Sequence, residues 1–169
     1  YIGKARLGLA LKEIEPEISL LVEWNPFELN PSLPKKGMDR ADYLRIKFGS
    51  TSSAKKIYRQ ILINAEADEL ELNLEAIKKV PNTRDAHKLI LSANSPKLQN
   101  LIVSKLFEAY FILGVDIGEA NNLLDIAAKS GFQRSEAEKI FVDPELNSRV
   151  EALEEQVSNL GIMGVPAFL

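Results

Sequence analysis

From Met38 to Leu160 apolar side chains recur three and four residues apart in one segment after another, and glycine or proline marks most of the breaks. That pattern constrains the chain more than any other feature, because it commits most of the length to amphipathic helices. Asp39 with Asp42 supplies a cap and an acidic first turn, and Gly49 a stop. Thr51 or Ser52 opens the next helix, whose inward face should carry Ile57, Ile61, Leu62 and Ala65. Asn82 or Thr83 caps a helix with Ala86, Leu89, Ile90 and Ala93 inward. Ser95-Pro96 is a cap followed by proline at the first helical position, and it starts a long helix ending at Gly114. Leu98, Leu101, Ile102, Leu106, Ala109, Tyr110 and Leu113 form its stripe. A further helix holds Leu123, Leu124, Ile126 and Ala127 and stops at Gly131, and a short one covers 135–141. Asp143-Pro144 opens the last, with Leu146, Val150, Leu153, Val157 and Leu160 on its buried side. Glu69–Leu74 alternates with period two, as a short extended segment or a loop edge would.

The two ends of the chain read differently. Residues 2–14 form an apolar helix with no cap, which Pro16 should terminate. The free N–H groups at such a helix start need partners, and a negative charge is favoured there. Ile18, Leu20, Val22 and Trp24 alternate along a strand over 18–24. Asn25-Pro26-Phe27-Glu28-Leu29-Asn30-Pro31 then halts it, with two prolines holding the chain extended. At the C-terminus Gly161, Gly164 and Val165-Pro166 lead into an apolar strand start. One strand and a stub leave edges unpaired, so we expect a strand before Tyr1 and further strands after Leu169.

Composition removes several chemistries. The 169 residues contain no cysteine and one histidine, His87, so they carry no disulfide, no thiolate nucleophile and no multi-histidine metal cluster. No metal site is expected. A net charge of −3 and dispersed lysine pairs argue against a nucleic-acid partner. No apolar run reaches the ~18 residues a membrane span requires. With no export signal in view, the expected compartment is cytoplasmic.

Four stretches, in this order, resemble one family over essentially the whole chain. They are Tyr1-Ile2-Gly3-Lys4; Trp24-Asn25-Pro26-Phe27-Glu28-Leu29-Asn30-Pro31; Pro81-Asn82-Thr83-Arg84-Asp85-Ala86-His87 with Ala109-Tyr110-Phe111; and Gly161-Ile162-Met163-Gly164-Val165-Pro166. The chain resembles the DsbA-like thioredoxin-fold oxidoreductases of the FrnE type, neighbours of the 2-hydroxychromene-2-carboxylate isomerases and kappa-class glutathione transferases. The resemblance implies an α/β, thioredoxin-like fold with a large all-helical insertion, mostly helical over these residues and lacking its flanking strands. It implies thioredoxin-like parts at 1–34 and 143–169 around a helical insertion at 35–142.

In that family a Cys-Pro-Trp-Cys pair directly precedes a Tyr-Ile-Gly like residues 1–3, and a cis-proline stands opposite it. Carried over, Val165 and Pro166 belong to the catalytic region. Trp24, Asn25, Phe27, Asn30, Asn82 and His87 border or contact the substrate. From the residues alone, Asn82 also reads as a helix cap, and His87 as a hydrogen-bonded packing residue whose ordinary pKa is near 6.5. The activity implied is thiol–disulfide exchange on a protein or small-molecule disulfide, with no resident cofactor; a homodimer is one assembly open to it. A serine in place of the first cysteine would imply a glutathione-dependent isomerase or transferase instead, with glutathione as co-substrate. A non-catalytic helical interaction domain is the third alternative.

Overall fold

The computed structural model describes residues 1–14, 18, 20–49 and 51–169. The helices are α1 (Ile2–Ile14), α2 (Arg40–Phe48), α3 (Thr51–Ala67), α4 (Arg84–Leu91), α5 (Pro96–Phe111), α6 (Ala120–Lys129), α7 (Arg134–Val142) and α8 (Pro144–Asn159). Their starts follow from local hydrogen bonding. Asp39 accepts from the Ala41 and Asp42 amides, Ser95 from the Leu98 amide, and Asp143 from the Glu145 and Leu146 amides. Pro96 and Pro144 occupy first-turn positions where a missing N–H costs nothing. Gln133 and Glu136 form a reciprocal capping box at the head of α7.

α4 is the hub. It packs against α5, α6, α7 and α8. Leu89 on α4, Ile102 on α5, Leu123 on α6 and Val150 on α8 are each fully buried. Ala86, Ala127 and Ala137 are almost as inaccessible, and their small side chains let the helices approach closely. At the end of α5, Gly114 has φ +68°, and a Cβ there would collide with the Ala76 backbone. Beside it the Asn73 amide donates to the Phe111 carbonyl at 2.8 Å, so the turn at 73–76 is seated on the helix end.

The described residues contain one sheet. Met38–Asp39 (β1) pairs antiparallel with Lys79–Val80 (β2), Met38 opposite Val80 and Asp39 opposite Lys79. Strands of two residues are too short to show a period in sequence. The expected strand at 18–24 is not a ladder: Ile18 and 20–24 pair with no other strand, and Ser19 lies outside the described residues. A strand is fixed by its neighbour's hydrogen bonds, and alternation alone supplies none. Leu20 and Leu21 are exposed. The 69–74 segment is a loop, and Pro16 lies outside the described residues.

The helical stripes are narrower than their spacing suggests. On α5 the buried face is Ile102, Val103, Leu106 and Ala109, while Leu101, and Leu113 just past the helix end, are exposed. On α3, Ala54 and Ala65 are buried, whereas Ile57 and Leu62 are exposed. Val150 is the buried residue of α8, and Leu160 faces solvent. No helix among the described residues is long and apolar enough to cross a membrane. Adjacent residues on α5 should therefore differ sharply in urea denaturation. Ile102→Ala should cost about 2–5 kcal/mol through loss of buried methyl groups and the cavity left behind. Leu101→Ala should cost less than about 1 kcal/mol.

Candidate functional site

The first turn of α1 and the C-terminal proline meet. A Cβ built on Gly3 would lie 2.7 Å from Pro166 Cγ and 2.9 Å from its Cβ, so only glycine admits the ring there. The Val165–Pro166 peptide is cis. Val165 is half exposed, and among the described residues its backbone makes no hydrogen bond. Tyr1 seats the head of α1 on α5: its ring lies parallel to Phe111 at 5.9 Å and tilted to Phe107 at 5.8 Å. Burial lowers the pKa of Lys4 in the same turn.

The 24–31 segment forms a second cluster, and side chains from four helices hold it, two at its backbone and two at its side chains. Gln99 of α5 accepts from the Trp24 amide at 2.7 Å and donates to the Trp24 carbonyl at 2.9 Å, imitating a strand neighbour. Glu154 of α8 accepts from the Glu28 amide at 2.7 Å. Tyr43 of α2 donates its hydroxyl to Asn30 at 3.0 Å. Arg84 of α4 donates from Nε and Nη2 to Glu28 Oε2 at 2.9 and 2.6 Å, and from Nη1 to Glu151 at 3.0 Å. Glu154 Oε2 lies 3.7 Å from the same guanidinium. The Glu28 side chain is only 2% exposed, so its charge depends on Arg84 for compensation. Pro26 is fully buried, while Asn25 and Leu29 face solvent.

Asn82 joins this cluster as a structural residue. Its amide donates to the Leu33 carbonyl at 2.9 Å, and its oxygen accepts from the Arg84 amide, so it caps the approach to α4. His87 sits among Phe27, Glu28 and Arg84. Desolvation pushes its pKa down to about 4, against the opposing pull of Glu28 and of a hydrogen bond with the Phe27 backbone. The imidazole is thus neutral at pH 7. Glu154 is raised, first by burial and then by the Glu28 charge. Tyr110, with its hydroxyl 3.4 Å from the Lys79 carbonyl, is pushed up to about 12 by burial. The Trp24 indole N–H is buried without a partner among the described residues. No three carboxylate or imidazole groups there converge on a point that could hold a metal ion.

The structure therefore sorts the residues singled out from sequence into two groups. Pro166 and Val165 lie at the head of α1, while Trp24, Phe27, Asn30, Asn82 and His87 lie together around the clamped loop, with Asn25 on its exposed side. Helix α8 runs between them, with Glu154 at the loop and Val165-Pro166 beyond its end. Sequence reasoning missed Arg84, Gln99, Glu154 and Tyr43. All four look like ordinary helix-surface residues until the fold brings their partners from distant parts of the chain. Glu28 carried one readable signal, a charge between two prolines in a segment otherwise apolar or amide-bearing.

A chain whose first helix turn meets a near-terminal proline, with a helical domain between them, has the plan of a thioredoxin-fold protein with a helical insert. A family model described as a DsbA-like thioredoxin domain matches residues 1–169, and the chain belongs to that family. Among solved structures it is similar to a probable DsbA oxidoreductase from Streptomyces coelicolor, at 23% identity and a TM-score of 0.83, covering 98% of this chain and 72% of that one. It is also similar to a 2-hydroxychromene-2-carboxylate isomerase, at 15% identity and a TM-score of 0.76, covering 100% of this chain and 78% of that one. At these identities the likeness establishes the fold. No curated protein matches the sequence.

The desolvated histidine gives a pH signature. Because the folded pKa is lower than 6.5, the unfolded chain binds more protons between pH 6.5 and about 4, and His87 removes stability as the pH falls through that window. Glu154, raised in the folded state, acts in the opposite direction. His87→Gln should therefore flatten the loss of urea stability between pH 7 and pH 4.5 relative to the parent. An unchanged slope would contradict a neutral, desolvated imidazole.

Proposed function

We propose that this chain is the substrate-recognising part of a thiol–disulfide oxidoreductase. The observation that carries the reading is the packing of Pro166 on the first turn of α1, beside a Val165 backbone that makes no hydrogen bond among the described residues. The helix start offers unpaired N–H groups and the positive end of its dipole, which hold a nearby thiol in its ionised form, with a pKa of ~3.5–7.5 in such settings. The free Val165 amide and carbonyl can pair with an extended substrate segment as a short added strand.

The reaction is exchange. A thiolate sulfur bonds to one sulfur of the substrate disulfide, the substrate S–S bond breaks, and the second substrate sulfur leaves as a thiolate. A second protein thiolate then attacks the mixed disulfide, and the remaining substrate sulfur departs carrying the electron pair. The 169 residues contain no cysteine, so both thiols come from outside them, in the Cys-Pro-Trp-Cys that the family resemblance puts before Tyr1. Within the chain, Trp24, Asn25, Phe27 and Asn30 line the groove that receives the substrate, with Asn82 and His87 supporting them from the helical side.

A second reading is a glutathione-dependent isomerase or transferase, with a serine in place of the first cysteine; the likeness in fold to a 2-hydroxychromene-2-carboxylate isomerase supports it. The two separate cleanly. The intact protein with its thiols free should reduce insulin disulfides, and replacing either cysteine by serine should abolish turnover. No turnover with free thiols overturns the redox reading. Calorimetry showing tight glutathione binding without thiol turnover selects the second.

A further inference from the structure

The 24–31 loop owes its shape to the helical domain. Its backbone is held at Trp24 by Gln99, at Glu28 by Glu154, and beyond it at Leu33 by Asn82. Its side chains are held at Glu28 by Arg84 and at Asn30 by Tyr43. Of these anchors Arg84 joins the most partners. It reaches a buried carboxylate on the loop and two carboxylates on α8, the helix that leads to Val165-Pro166. The anchors leave Asn25 and Leu29 facing solvent on a backbone that cannot easily relax around them.

We propose that Arg84 is a positioning residue for substrate: through Glu28 it holds the Trp24–Asn30 loop, and through Glu151 and Glu154 it fixes that loop against the helix carrying the proline end of the cleft. Arg84 touches neither substrate nor the exchanging sulfurs. It sets the shape of one cleft wall, so its loss weakens binding and leaves the exchange step nearly intact. A planar guanidinium serves this purpose because its donors reach Glu28 and Glu151 at once, whereas an ammonium is a single point charge.

This inference rests on the redox reading, and the test keeps the two apart. Steady-state kinetics of the intact protein on a disulfide-bonded peptide would be measured alongside amide hydrogen exchange over residues 24–31. Arg84→Gln should raise KM about five- to fiftyfold with kcat within about threefold of the parent, and should speed exchange at the Trp24 and Glu28 amides. Arg84→Lys should recover part of the KM and part of the protection. Arg134→Gln, which breaks an exposed pair with Glu138 on α7, should change neither. If Arg84→Gln does not fold, Glu154→Ala, which removes the acceptor for the Glu28 amide and one of the carboxylates beside Arg84 but leaves the Arg84–Glu28 pair, should give a smaller KM rise in the same direction. Parent turnover with an unchanged KM in the folded variants overturns the positioning role. Absence of parent turnover overturns the redox reading itself.

Discussion

The arrangement around the site depends on one ion pair. Glu28 is almost wholly withdrawn from water in a loop with no strand partner, and Arg84 is the cation that makes this tolerable. An isolated carboxylate in that position would cost several kcal/mol, and breaking a buried pair by removing one partner typically costs about 3–5 kcal/mol. The same guanidinium reaches Glu151 and comes near Glu154, and Glu154 in turn accepts the Glu28 amide. Loop, α4 and α8 are thereby tied by one small network. Since α4 also packs on α5, α6 and α7, the network is anchored in the body of the helices.

Side-chain bonds of the same kind hold Trp24 without a ladder. Sheet hydrogen bonds normally satisfy an extended backbone, and a side chain can substitute at a single residue, as Gln99 does for both polar groups of Trp24. At Pro166 the constraint is steric. Gly3 gives the Pro166 ring room against the α1 backbone, and any larger residue would push the two apart. The loop is therefore held by hydrogen bonding and charge, and the seat of Pro166 on α1 is set by the absence of a side chain.

The helices were legible because their signals are local. A cap such as Ser95 or Asp143 bonds within three residues, and Pro96 and Pro144 fix their own φ. Fold and family were legible because the motif stretches keep their order from Tyr1 to Pro166. What periodicity could not show is how wide each buried face is: Leu101 and Leu113 share a spacing with Ile102 and Leu106 yet stand in solvent, since burial depends on which neighbour covers the helix. The site was half visible. Asn82 and His87 stood out by motif, but the partners that give the loop its geometry lie 56 to 126 residues away from it, at Arg84, Gln99 and Glu154. No local pattern marks a side chain that acts over such a separation.

For the loop to be held as described, Glu28 and Arg84 must be energetically coupled. A double-mutant cycle measures this directly, using urea stabilities at pH 7 of the parent, Glu28→Gln, Arg84→Gln and the double variant. A buried, doubly hydrogen-bonded charged pair predicts a coupling above about 1.5 kcal/mol. A coupling within the roughly 0.2–1 kcal/mol of exposed ion pairs would contradict the account, because the loop would then owe its shape to something else.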